Sequence, residues 1–399
     1  MIVLNFSKLL SSIEPSKTVA LTSLINQLKV EGKKILSFSA GEPDFNTPDF
    51  IKEAAINAIN NNQTKYTSLQ GTAELINTII NKFKTENNLD FTPNEILVSS
   101  GAKQSLYNVV MSICNPGDEV IFQAPYWVSY PEMVKLAQAK PVIIESTAES
   151  NFKITPNQLE EVITKNTKAF LFNSPSNPTG AVYSKSEIIE LANVLIKKDI
   201  YIITDEIYEK IIFDDEEHFS IGSIPELKDK TITINGVSKA FSMTGWRIGY
   251  AGGSKEIIKL AKILQGHSTS NATSISQAAA NAALNGSGKE INKMVEEFNN
   301  RRNFVIKELQ TIKGINCPTP KGAFYAFFDV SNYYNKSNGR LKVTDSISFC
   351  NYLISDVSIA LVPGVAFGND SCARMSYASS MDDLVEGIKR LKSSLTNLN

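Results

Sequence analysis

The sequence predicts an α/β protein: a mostly parallel sheet with helices on either face, joined to a second, smaller α/β unit. Three observations carry this reading. From about residue 94 to 285, short apolar runs alternate with helix-length segments. Those runs are rich in β-branched residues and continuous in hydrophobicity, as strands buried on both faces must be. A chain of 399 residues also exceeds the roughly 250 to 300 that one core usually organises, so two domains are expected.

The elements follow in order. Thr47-Pro48-Asp49 predicts a helix start, with Thr47 as hydroxyl cap, a proline in the first turn and an acid at the dipole's positive end. Phe50-Ala54-Ala58 and Ile51-Ala55-Ile59 continue its apolar face at four-residue spacing. Six runs predict strands: Ile96 to Val98, Glu119 to Phe122, Pro141 to Ile144, Ala169 to Phe172, Ile200 to Ile203 and Thr231 to Ile234. Beyond Gly286-Ser287-Gly288 comes a charged helical stretch with Glu296, Glu297, Arg301 and Arg302. The strand-like Ala323 to Phe328 and a last helix near Met381 to Leu395 complete the smaller unit. The change near residue 286 sets the expected boundaries: an arm and part of the small domain in 1–47, the large domain in 48–285, the small domain in 286–399.

Composition narrows the function. Hydrophobic residues at 42% and charged residues at 20% describe an ordinary folded protein rather than a disordered one. Lys plus Arg number 40 against 41 acidic residues, so no net field draws the chain to nucleic acid or an anionic membrane, and neither partner is expected. The first twelve residues offer no apolar stretch suited to a signal peptide or a span, which predicts a cytoplasmic protein. Cys114, Cys317, Cys350 and Cys372 form no C-x-x-C pair and are expected as buried free thiols. His218 and His267 lie far apart in sequence, which supports neither a histidine metal site nor a Ser-His-Asp triad.

Most unusual polar clusters come directly after an apolar run, where open parallel sheets bind ligands. Ser99-Ser100-Gly101-Ala102-Lys103-Gln104 turns into a helix whose free N–H groups suit a phosphate, or is simply a connection. Trp127 could stack on a flat heteroaromatic ring, or be a core tryptophan. The prolines and glycine of Asn173 to Gly180 make a rigid loop that aims Asn177, or only a turn. A carboxylate at Asp205 could keep a pyridine nitrogen protonated, or cap a helix, and Tyr208 could donate to a phenolate oxygen on the same ring. Lys239, at the mouth of the last run, lies between Ser238 and Arg247 and can hold an aldehyde cofactor as a Schiff base while its neighbours grip a phosphate. One shared site accounts for all of these positions together.

The string Gly236 to Gly249, GVSKAFSMTGWRIG, resembles the lysine-attachment signature of the class I aminotransferases, which use pyridoxal 5′-phosphate. The resemblance runs from Pro15-Ser16-Lys17-Thr18 and Gly41-Glu42-Pro43-Asp44-Phe45 to Arg374-Met375-Ser376-Tyr377-Ala378. With Tyr126-Trp127-Val128-Ser129-Tyr130-Pro131, it is similar to the bacterial aspartate aminotransferases in particular. It implies a fold type I enzyme with a seven-stranded, mostly parallel sheet. It further implies Lys239 as Schiff-base lysine, Asp205 at the pyridine nitrogen, and Asn177 with Tyr208 at the ring oxygen. Trp127 would stack, and Gly101, Ala102, Ser238 and Arg247 would line the phosphate cup. Tyr66 would reach across from a second subunit, implying a homodimer. Arg374 would take the substrate α-carboxylate beside Gly41, Trp127 and Asn177. Lys103 with Ser16 and Thr18 would read a side-chain carboxylate, pointing to dicarboxylic amino acids and 2-oxo acids.

Two positions depart from the pattern. Ala102 replaces a glycine common among relatives, so its methyl is expected to crowd the phosphate. Glu14 stands where close relatives are often basic, arguing against large, highly anionic substrates such as prephenate. The expected reaction moves the amino group of L-aspartate to 2-oxoglutarate, giving oxaloacetate and L-glutamate. The alternatives are an aminotransferase of broader, aromatic or alanine specificity, a lyase using the same cofactor, or a non-catalytic sensor. The sensor reading lacks room for a DNA-binding domain, and a dinucleotide enzyme lacks G-x-G-x-x-G after its first strand.

Overall fold

The structure, a computed structural model, describes residues 6–15 and 17–399, excepting the side chains of 17–20, 22 and 29. Its strands are β1 (Leu36–Ser37), β2 (Ile96–Ser99), β3 (Glu119–Ala124), β4 (Lys140–Glu145), β5 (Thr167–Asn173) and β6 (Tyr201–Asp205). They continue as β7 (Thr231–Gly236), β8 (Gly249–Gly252), β9 (Tyr325–Asp329), β10 (Ile359–Ala360), β11 (Val362–Pro363) and β12 (Cys372–Ser376).

All six predicted runs are strands of one seven-stranded sheet, ordered β2-β8-β7-β6-β5-β3-β4. The pairs from β4 through to β7 are parallel, and β8 alone runs antiparallel to its neighbours. The fold is thus α/β with a mostly parallel sheet, as expected. Strand β8 escaped sequence reading because Gly249-Tyr250-Ala251-Gly252 has no apolar run. Its glycines have a steric reason: a Cβ on Gly249 would lie 2.0 Å from the Ala102 backbone nitrogen, so only glycine lets the β2 turn approach. Pairing then sets the strand ends side by side, with Asn173 opposite Asp205 and Gly236 opposite Gly249.

The helix Asp49–Asn60 forms where predicted, but Thr47 does not cap it. Pro48 occupies the cap position without a side-chain bond. The Thr47 hydroxyl instead donates to the Ser242 carbonyl at 2.6 Å and accepts from the Trp246 indole at 3.0 Å. Those two groups, on the loop that follows Lys239, compete successfully for the hydroxyl.

A smaller layer packs against the carboxyl edge of the sheet. It contains the antiparallel order β11-β12-β9, with Phe327 opposite Arg374. Strand β1 pairs in parallel with β10, tying the N-terminal segment to the C-terminal third. The helix Lys289–Gln310 begins after Gly288, and Met381–Thr396 closes the chain. One apolar cluster joins Ile207, Tyr208 and Ile211 of the large sheet's edge to Phe298, Phe324, Tyr325 and Tyr377, fastening the two layers together. Cys317, Cys350 and Cys372 are buried and Cys114 half-buried, all as free thiols. Among the described residues no helix is long and apolar enough to cross a membrane.

Candidate active site

A cavity of about 360 Å³ opens between the carboxyl ends of the large sheet and the smaller layer. Gly41, Ala102, Lys103, Trp127, Asn177, Asp205, Tyr208, Ser238, Lys239, Arg247 and Arg374 all line it. Residues from seven separate stretches of sequence thereby meet within one small volume. Gly101 stands in the wall behind Arg247 rather than on the surface of the cavity. Tyr66 lies outside it, 91% exposed. Ser16 and the Thr18 side chain fall outside the described residues.

Lys239 follows the end of β7, and its Nζ donates to the Gly41 carbonyl at 2.5 Å. Burial pushes its pKa down to about 8, against the opposing pull of Glu42. The amine is therefore within reach of its neutral, nucleophilic form near physiological pH. Asp205, 4% exposed at the end of β6, accepts from the Tyr130 hydroxyl at 2.7 Å and the Ile207 N–H at 3.3 Å. Burial nevertheless raises it to about 6. A cation placed beside it in the cavity would restore its charge.

Asn173 and Asn177 are stitched to this strand end. Asn173 donates to the Asp205 carbonyl at 2.8 Å and accepts from the Asn177 N–H at 3.0 Å. The Asn177 amide oxygen accepts from Arg374 Nη1 at 2.9 Å, which turns its NH₂ free for another acceptor. Arg374, 3% exposed on β12, donates through Nη2 to the Ser39 carbonyl at 2.7 Å. Its guanidinium lies over Tyr325 at 4.4 Å and Phe367 at 4.9 Å. Both bonds end on neutral oxygens, and among the described residues Nε has no hydrogen-bond partner. A buried guanidinium so placed has the donors to receive a carboxylate.

The opposite end of the cavity collects positive charge around a helix start. Gly101, at φ +91°, precedes the helix Ala102–Ile113 and provides no side-chain cap. Arg247 lies over this start, donating to the Thr244 carbonyl at 2.9 Å and the Ser100 carbonyl at 3.4 Å. A Cβ on Gly101 would be 2.3 Å from Arg247 Nη2. Lys103 Nζ sits 4.8 Å from the centre of the Trp127 ring, and burial, aided by Arg247, lowers its pKa. Free N–H groups, the helix dipole and Arg247 give this end of the cavity the chemistry to hold an anion such as a phosphate. The Ala102 methyl packs against apolar clusters of both layers, so it has apolar neighbours besides the cavity. Glu14 is exposed, with its backbone N–H on the Glu132 carboxylate at 3.0 Å.

Sequence reasoning missed several residues of the site. Tyr130 lay within the Tyr126 to Pro131 motif, where its spacing from Trp127 could have singled it out. Tyr325 and Phe367 arrive from the smaller layer with no local signature. Also unforeseen is a buried network directly behind Asp205 and Tyr208, formed by Glu206, Glu209 and His218, whose ligand-type atoms lie within 4.8 Å of one another. Lys82 forms an ion pair with Glu209 and bonds Asn87 at 2.6 Å, and Asn87 donates to both carboxylates, so protein groups already balance this cluster.

A buried lysine, a buried carboxyl, a helix start beneath an arginine and a second, buried arginine thus share one cavity at the carboxyl edge of an open α/β sheet. Residues 33–391 match the family model for aminotransferase class I and II. The chain is 49% identical over 397 residues to an aspartate/prephenate aminotransferase of Nitrosomonas europaea, covering 98% of this chain and all of that one. It is 45% identical to the aspartate aminotransferase of Bacillus subtilis, over 98% of each chain. Among solved structures, an aspartate aminotransferase from Rhizobium meliloti superposes with a TM-score of 0.96 at 41% identity, covering each chain fully. One from Thermus thermophilus, with maleate, gives 0.93 at 37% identity over 98% of this chain and all of that one. The chain belongs to the class I and II aminotransferases.

Proposed function

We propose that this protein is an aspartate aminotransferase that exchanges the amino group between L-aspartate and 2-oxoglutarate, using pyridoxal 5′-phosphate held on Lys239. The residues present fit that cofactor. Lys239 Nζ would carry its aldehyde, Asp205 would face the pyridine nitrogen, and the buried carboxyl would regain its charge there. Asn177 Nδ2 and the Tyr208 hydroxyl would serve the ring oxygen, and Trp127 would cover the ring. Ser238, Arg247 and the helix start at Gly101 and Ala102 would hold the phosphate. When bound, the cofactor supplies an electron-accepting ring that stabilises negative charge at the substrate α-carbon.

The chain's own residues do the rest. Arg374 takes the α-carboxylate on its unpartnered edge and, through Asn177, keeps substrate and ring in fixed relation. Lys239 Nζ, depressed to about 8, accepts the α-proton and returns it later as general acid. Lys103, on the Trp127 face, meets a side-chain carboxylate, and Ser16 and Thr18 join it in this reading. The maleate bound by the Thermus relative is itself a dicarboxylate, which supports that choice. Glu14 argues against prephenate as an acceptor here, although relatives named for it are similar to this chain. Tyr66, exposed in one subunit, would complete the site of a second, making a homodimer. Residues 1–47 and 286–399 would form the small domain and 48–285 the large one, in a cytoplasmic enzyme.

The observation that carries the proposal is Arg374, a buried fork without a carboxylate partner among the described residues, in the same cavity as Lys239 and Asp205. A panel of amino donors against 2-oxoglutarate tests it, repeated with Lys103→Ala. Loss confined to dicarboxylic donors is expected; equal loss across the panel would remove Lys103 from substrate reading.

A further inference from the structure

Tyr325 joins three functions of the site that no motif connects. It is fully buried at the start of β9. Its hydroxyl lies 2.8 Å from that of Tyr208, its ring carries the Arg374 guanidinium at 4.4 Å, and a Cβ on Gly41 would come within 3.0 Å of its hydroxyl. Gly41 in turn supplies the carbonyl that holds Lys239 Nζ. We propose that Tyr325 is a positioning residue: its hydroxyl donates to Tyr208, orienting that hydroxyl's own proton toward the ligand, while its ring sets the plane of Arg374.

The direction of donation follows from counting. A tyrosine hydroxyl has one proton, and Tyr208 can donate to a ring oxygen in the cavity only if it accepts from Tyr325. Burial holds both phenols protonated well beyond neutrality, so the pair shares two protons and no charge. Donation from Tyr325 polarises Tyr208 and makes it the stronger donor, as in any chain of hydrogen bonds. The register of the sheet supports the second role. Tyr325 pairs with Ser376 and Phe327 with Arg374, so the ring and the fork ride on adjacent, hydrogen-bonded strands and cannot move independently.

This inference rests on the aminotransferase reading, and two substitutions separate its parts. Tyr325→Phe keeps the ring and deletes the donor. In the cofactor-loaded enzyme without substrate, the pH midpoint of the absorbance change of the Lys239-bound cofactor should rise by roughly half a unit, because a weakened Tyr208 stabilises the deprotonated ring oxygen less. The KM for aspartate should stay within about twofold, since Arg374 keeps its platform. Tyr325→Leu removes the platform too, and should raise that KM about tenfold or more. A Tyr325→Phe titration superimposable on that of the unaltered protein would overturn the donor role, and a normal KM in Tyr325→Leu would overturn the platform role. If the unaltered protein acquires no cofactor absorbance at all, the aminotransferase reading itself fails, a result visible before any variant is made.

Discussion

Replacing Arg374 by lysine keeps the charge and removes the fork, which makes it the sharpest test of how the site reads an amino acid. A guanidinium has five N–H donors; here one goes to Asn177 and one to the Ser39 carbonyl, leaving three, with Nε unpartnered among the described residues. Two of the remaining donors lie along one edge and can meet a carboxylate in parallel. An ammonium offers a point charge in place of that pair and cannot lie flat between Tyr325 and Phe367. The expected loss is about one charge-assisted hydrogen bond, roughly 1.5–3 kcal/mol, or on the order of 10- to 100-fold in kcat/KM. Steady-state kinetics with aspartate should show it. A simple alkyl amine with no carboxylate serves as the control, and its slow reaction should be insensitive to Arg374→Lys. Activity within threefold of the unaltered enzyme toward aspartate, or equal impairment toward the alkyl amine, would refute the carboxylate assignment.

Three further outcomes follow from groups around the cavity. His218 Nε2 donates to the Glu206 carboxylate at 2.9 Å; burial lowers its pKa, but Glu206 and then Glu209 outweigh burial and raise it. The stability this pair contributes is therefore complete below the unfolded histidine value of about 6.5 and is lost as pH rises through the higher folded value. Melting curves of the unaltered protein and His218→Gln should converge above that value, and a gap that widens with pH would contradict the sign. Lys82→Met leaves the buried Glu209 carboxylate without its ammonium; since Glu209 is held down at about 2 mainly by Lys82 and His218 against burial, a cost of about 3–5 kcal/mol is expected in denaturant titrations, and a loss under about 1 kcal/mol would show that the pair is replaceable. Gly101→Ala forces a side chain onto a φ of +91° and against Arg247, so cofactor should dissociate about tenfold more readily in equilibrium dialysis, with unchanged retention as the failing result.

The sequence made the strands of the large sheet legible because their runs are apolar on both faces, and it made their carboxyl ends legible because polar residues interrupt those runs abruptly. Asp205, Asn177, Lys239 and Arg247 could be named for that reason. What remained hidden depended on partners far along the chain. Thr47 looks like a cap by local rules, yet the Ser242 carbonyl and Trp246 indole claim its hydroxyl. Strand β8 is chosen by what it must not contain, a Cβ that would strike Ala102. In Asp205-Glu206-Ile207-Tyr208-Glu209, Asp205 and Tyr208 face the cavity while Glu206 and Glu209 face a buried network, and no helical or strand period announces that division.

That division explains why so polar a turn can be rigid. On the cavity side each of the two side chains is held by one tyrosine hydroxyl, Asp205 by Tyr130 and Tyr208 by Tyr325, which leaves most of the turn's anchoring to the buried side. The anchoring is moved to the other side, where Glu206 accepts from Ser220 at 2.7 Å, Thr204 at 3.1 Å and Asn87 at 3.2 Å, and Glu209 is tied to Lys82 and Asn87. A buried and internally neutralised network has few alternative arrangements of comparable energy. The two functional side chains inherit that fixed backbone while keeping their own polar atoms available. Substitutions in the hidden network should therefore perturb the site through geometry, altering turnover and cofactor absorbance together, although none of its members lines the cavity.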